Sequence, residues 1–102
     1  MVTRSIRAAD LKTILGEELF QKLLGKDPFN SDARSKARLE LILRITDNLS
    51  GSFNDEGIWR WFYRKRQGLQ DKSFLSLFTE GWEAHDPGPN LCLEASVDTI
   101  YY

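Results

Sequence analysis

The chain has 102 residues, 41% hydrophobic and 28% charged, which is enough for one domain with one core and too little for two. Fourteen Lys and Arg against fifteen Asp and Glu give a formal net charge of −1, which excludes a generic polybasic nucleic-acid binder but leaves room for a local basic patch. No apolar run approaches the ~18–20 residues of a membrane span.

The N-terminal MVTRSIRAADLK lacks the apolar stretch of a signal peptide. The single Cys92 has no partner for an intramolecular disulfide. Both features make a reducing, cytoplasmic location the expectation. In the first block Leu11, Ile14, Leu15, Leu19 and Leu23 recur three or four apart, with Phe20 and Leu24 beside them. That spacing predicts an amphipathic helix over about 8–24, with a possible break at Gly16. Gly25 is placed to cap its end, and Pro28 opposes continuation. Ser31 or Asp32 is placed to cap the next helix.

The second block, about 32–50, carries Ala37, Leu41, Ile42, Ile45 and Leu49 on one stripe. Leu39 and Leu43 widen it beyond what one neighbour would cover, so this helix is expected at the centre. Asn54 then caps a third helix, about 55–67, with Asp55 and Glu56 well placed for the helix dipole. Trp59, Phe62 and Tyr63 fit the spacing of its core stripe, and Gly68 is the expected stop. A fourth short helix is predicted over about 71–80, with Asp71 as its cap and Phe74, Leu75, Leu77 and Phe78 facing inward. EAHDPGPN reads as a loop, because Pro87 and Pro89 both lack the N–H that a helix or a ladder uses. The closing LCLEASVDTIYY is either a helix or an extended tail. The expected fold is all-α, a small single-domain bundle of four to five short helices.

Charge is uneven along the chain. Arg60, Arg64, Lys65, Arg66 and Lys72 stand against Asp71 alone, whereas Glu80, Glu83, Asp86, Glu94 and Asp98 follow with no Lys or Arg. These are either solvated faces that partly neutralise each other or two binding surfaces of opposite sign that would steer a protein partner. Catalytic signatures are sparse. His85 and Cys92 are the only residues of their types, and two isolated residues do not specify a nucleophile pair. A zinc site needs about four ligands. Asp27 and Asp32 lack the central glycine of a calcium loop, and no Gly-rich phosphate loop is present. The expectation is no enzyme activity and no cofactor. IWRWFYRKRQ sets Arg and Lys beside Trp and Tyr, so Arg60, Arg64, Lys65 and Arg66 are the candidate contacts for nucleic acid.

The run ARLELILRITDNL, then Trp61-Phe62, then LQDKSFLSLF and Gly81, resembles the toxin-binding domain of the Xre/MbcA/ParS antitoxin family. In that family a helix beginning Arg-Leu precedes an Ala-x-x-Trp-Leu helix. A Leu-Gly-Gly-Arg-Ser-Pro-Leu-x-Leu-Leu segment follows, then a glycine and a last helix. Arg38 and Leu39 match the first helix start, and Trp61-Phe62 the Trp-Leu pair. Leu69 matches the next leucine, Lys72-Ser73 the Arg-Ser, and Leu75 with Leu77-Phe78 the Leu-x-Leu-Leu. The match covers about residues 34–82. It departs at Phe74, where the family has Pro, at Gln70-Asp71 in place of Gly-Gly, and at Lys65-Arg66 in place of Pro-Asn. Pro87 and Pro89 fall where the last helix should run.

The resemblance implies a non-catalytic antitoxin that binds a RES-type toxin, an NAD⁺-consuming enzyme, and covers its active-site entrance. The organisation it suggests is an N-terminal helical segment 1–30, a helical core 31–82 and an acidic C-terminal tail 83–102, all in one globular domain. The N-terminal segment is a candidate reduced helix-turn-helix, since many members carry one for DNA binding. Trp61, Phe62, Leu69, Leu75 and Phe78 would form the scaffold. Trp82, His85, Asp86, Asp98, Tyr101 and Tyr102 would meet the partner, and deletion of 91–102 is the expected way to abolish inhibition. The alternatives are a small nucleic-acid-binding regulator and a structural homo-oligomer, with a homodimer compatible with the aromatic content.

Overall fold

One amphipathic pattern runs through the N-terminal block, yet it folds as two helices. The computed structural model, which describes residues 6–25 and 32–97, has a 3-10 turn at Ala8–Asp10, then α1 (Leu11–Leu15) and α2 (Glu17–Leu24). Gly16 separates them with φ 83° and ψ 155°, a conformation glycine adopts without a Cβ penalty. Leu11, Ile14, Leu15, Leu19, Phe20, Leu23 and Leu24 all reach the core across this break. Gly25 closes α2, again at positive φ. Pro28 and Ser31 lie outside the described residues.

Helix α3 (Ala33–Ser50) starts at Asp32, whose Oδ1 accepts the Ser35 N–H at 2.7 Å. That backbone hydrogen bond holds the Asp32 carboxyl below its ordinary value. The helix is central, packing on α2, on α4 (Asp55–Tyr63) and most extensively on α5 (Pro87–Val97). It buries Leu41, Ile42, Ile45, Thr46 and Leu49. The Thr46 hydroxyl is satisfied within the helix by donating to the Ile42 carbonyl at 2.8 Å. Ala37 was expected on the buried stripe but is exposed, because it borders a shallow groove between α3 and α5 that Ala84 and Leu93 also line.

Asn54 caps α4 as expected, accepting the Gly57 N–H at 2.8 Å. The buried stripe is Ile58, Trp61 and Phe62, which has the same 3–4 spacing as the expected Trp59, Phe62 and Tyr63 but is set one residue earlier. Trp61 wins the inward place by stacking on Phe74, with centroids 4.4 Å apart, and Trp59 is left 42% exposed. The helix ends at Tyr63 rather than near 67. Arg64 leaves helical space with ψ 128°, and Arg66 Nη1 donates to the carbonyls of Trp61 at 3.0 Å and Arg64 at 2.8 Å. One orphan carbonyl of the helix end is thereby satisfied.

Beyond α4 the chain corrects the all-α expectation in one place. β1 (Lys65–Arg66) pairs antiparallel with β2 (Lys72–Ser73), Lys65 opposite Ser73 and Arg66 opposite Lys72. The rest of the described fold is mostly helical. Gln70 and Asp71 turn the hairpin at φ 58° and 63°, both left-handed. Asp71 therefore caps no helix. Pairing through Ser73 delays the next helical turn and shortens it to a 3-10 turn at Phe74–Leu77, in place of a helix over 71–80.

PGPN begins α5 instead of interrupting it, and the Asn90 N–H donates to the Asp86 carbonyl at 3.2 Å. Pro87 and Pro89 fall in the first turn, where backbone N–H groups have no partner within the helix, so their missing donors cost nothing. Gly88 lets this turn press on Leu77: a Cβ there would meet the Leu77 carbonyl oxygen at 3.1 Å. Cys92, Ala95 and Ser96 are buried, so 87–97 belongs to the core and is no free tail. Asp98, Tyr101 and Tyr102 lie outside the described residues. Among those described, no helix is long and apolar enough to cross a membrane.

Candidate protein-binding surface

Two arginines one turn apart on α3 hold the segment that leads into α5. Arg34 Nη2 donates to the Gly81 carbonyl at 2.9 Å, and its Nε pairs with Glu83 at 2.6 Å. Arg38 Nε donates to the Trp82 carbonyl at 2.7 Å, and its guanidinium lies 5.4 Å from the Trp82 ring centroid. Gly81 takes φ 78° between them, a left-handed conformation that favours glycine. The Trp82 ring is then driven inward against Phe78, edge to face at 4.9 Å. Its indole N–H donates to the Leu23 carbonyl at 2.8 Å, tying this segment to the end of α2.

A groove of about 480 Å³ opens beside that anchor. Leu23, Leu24, Leu75, Phe78 and Trp82 supply its apolar wall, and Lys22, Arg38 and Glu80 its charged groups. Lys22 also connects it to an aromatic ridge. Its ammonium pairs with Glu18 at 3.1 Å and sits 5.3 Å from the Tyr63 centroid, and Tyr63 packs on exposed Trp59 at 4.7 Å. The neighbouring Glu18 carboxylate raises the Lys22 pKa. An exposed tryptophan beside an apolar groove has the make-up of an interface centre.

The residues named from sequence separate into three groups. Trp61 and Phe62 are buried as scaffold, Phe78 is 7% exposed, and Leu69 and Leu75 pack on the core from its edge. Of the expected partner contacts, Trp82 is 4% exposed and holds the fold, so its ring is not presented to a partner. Asp86 accepts the Glu83 N–H at 2.8 Å and shapes the entry to α5, whereas His85 is exposed. The basic set is dispersed: Arg60 pairs with Glu56 at 2.7 Å, Arg64 and Lys65 are exposed, and Arg66 is 7% exposed beneath the hairpin. A helical face of four cations was the premise of the nucleic-acid reading. The strand at Lys65–Arg66 breaks that face up.

Cys92 is enclosed, and burial pushes its thiol well above the usual range, which is the opposite of a nucleophile's setting. Among the described residues no group of three His, Cys, Asp or Glu is placed to hold a metal ion. The groove, the exposure of Trp59 and the burial of Arg66 were not read from sequence. Only Trp59 left a signal, because Ile58, Trp61 and Phe62 form an equally regular stripe without it. Comparison with family models, curated proteins and solved structures finds no match to this chain.

Proposed function

We propose that the chain is a non-catalytic protein-binding module of the antitoxin type. It inhibits an NAD⁺-consuming RES-type toxin by covering the entrance to its active site. The observation that carries this reading is the backbone at Gln70 and Asp71. These two residues stand where the Xre/MbcA/ParS domain has Gly-Gly, and both are left-handed. A pair of glycines is what such a turn favours. The family pattern thus accounts for a conformation that Gln70 disfavours and Asp71 only tolerates.

Two further features support the reading. The matched Arg38 reaches across to the residue after the matched Gly81. A helix, α5, runs after that glycine, where the family has its last one. In this account the segment from Glu83 to Tyr102 meets the toxin through His85, the exposed Glu94 of α5 and the closing residues Asp98, Tyr101 and Tyr102. A cytoplasmic location belongs to the same reading. The test is an affinity pull-down at moderate salt, followed by an NAD⁺-consumption assay of any stoichiometric partner in the complex and after release. Suppressed activity that returns on release supports the proposal. A partner that consumes no NAD⁺, or consumes it equally when bound, contradicts it. A bait that returns only salt-released nucleic acid would favour the regulator instead.

A further inference from the structure

Beneath the hairpin lies a buried cation with no counter-charge among the described residues. Arg66 is 7% exposed, and its guanidinium carbon sits 4.5 Å from the Phe74 centroid and 5.2 Å from that of Trp61. Nη1 is fully used on the carbonyls of Trp61 and Arg64. Nε and Nη2 are enclosed and have no hydrogen-bond partner, and the same holds for the indole Nε1 of Trp61, a residue only 4% exposed.

The pattern of used and unused atoms is informative. Nε and Nη2 form one complete edge of the guanidinium fork, the edge that receives a carboxylate in two parallel hydrogen bonds. The indole of the adjacent Trp61 adds a further unfilled donor. All these groups are donors and none is an acceptor, and arginine keeps its charge in a protein. The two carbonyls and two aromatic faces offset part of the cost, but an enclosed cation without a counter-charge remains unfavourable. Cys92, the one group whose ionised form would favour the Arg66 charge, is held neutral by burial and supplies no negative charge. A planar anion brings acceptors together with the missing negative charge, which a neutral water molecule does not.

We infer that Arg66 and Trp61 form an internal site for a small planar carboxylate-type anion, bound side-on by the Nε–Nη2 edge. Because both nitrogens are buried, the ligand inferred is a small free ion of formate-like dimensions and not a carboxylate carried on a bulky body. Entry requires only local opening of the hairpin, whose strands are two residues each. This inference is independent of the antitoxin reading.

The experiment is ¹H–¹⁵N NMR of the full chain, following the Arg66 Nε–H and Trp61 Nε1–H signals. Sodium formate and sodium pivalate are titrated in parallel at equal ionic strength. Both signals are expected to shift saturably with formate and to stay in place with pivalate. No shift with either salt, or equal shifts with both, overturns the inference. Arg66→Met is expected to abolish the formate response of the Trp61 indole. A folded R66M protein whose indole still responds as in the wild type also overturns it. If R66M does not fold, the formate–pivalate contrast in the native chain decides alone.

Discussion

Replacing Gln70 and Asp71 with glycine is expected to stabilise the protein, although it removes two side chains. Both residues are exposed, at φ 58° and 63°. An L-residue in left-handed space costs roughly 1–2 kcal/mol. Glycine escapes that cost, but its freer unfolded chain takes back roughly 0.5–1 kcal/mol. The net gain is about 0.5–1 kcal/mol at each position, larger at Gln70 because Asp tolerates left-handed space better than Gln. For the pair the total is about 1–2 kcal/mol, which for a chain of this length raises Tm by roughly 5–10 °C. Far-UV circular dichroism during heating, with urea unfolding beside it, measures the change. Q70G alone is expected to account for more than half of it. A double variant with unchanged or lowered Tm would refute both the strain at this turn and the support it lends to the family resemblance.

Other perturbations test the packing around the surface. Gly88→Ala is expected to destabilise by about 1 kcal/mol, because the new methyl meets the Leu77 carbonyl oxygen at 3.1 Å; chemical denaturation reads the loss. Trp82→Phe keeps an aromatic ring against Phe78 but removes the indole donor to Leu23 and part of the buried ring, costing about 2 kcal/mol or more in the same assay. The Asp32 cap stabilises fully above the ordinary aspartate value of 3.8 and is lost as the pH falls through its lowered folded value. Asp32→Asn, which keeps the accepting oxygen but does not titrate, should therefore lose less stability than the wild type between neutral pH and pH values below that window. Equal acid sensitivity would remove Asp32 from the account.

Much of the fold is legible in the sequence where one local rule acts without competition. Gly16 and Gly25 mark real breaks, Asp32 and Asn54 cap real helices, and the apolar residues of 11–24 and 41–49 face inward as their spacing requires. The misreadings arise where two local patterns compete. Trp59, Phe62 and Tyr63 are as regular as Ile58, Trp61 and Phe62, and only contact with Phe74, twelve or more residues away, selects between them. Pro87 and Pro89 oppose a helix interior but not its first turn, so their meaning depends on where the helix starts. The hairpin is hidden because Gln70 has little preference for left-handed space and Asp71, which tolerates it better, reads equally well as a helix cap. Arg66 has the appearance of a surface cation in a basic run, and its burial follows only once that hairpin folds it beneath the strands. The groove is likewise invisible from sequence, since α2, α3 and the 75–82 segment meet there from distant parts of the chain.

Deletion of 91–102 is no longer a clean test of inhibition, because Cys92 and Ala95 are fully buried and their loss would dismantle the core. Truncation after Val97 avoids this, since that residue is 73% exposed at the end of α5. The most direct measurement is therefore NAD⁺ consumption by the co-purified partner, titrated with the full chain and with residues 1–97, both first checked for an unchanged cooperative unfolding transition. The full chain is expected to suppress consumption at equimolar ratio, and the truncated chain to fold normally yet lose most of that inhibition. Undiminished inhibition by residues 1–97, or none by the full chain, would contradict the proposed role of the C-terminal segment.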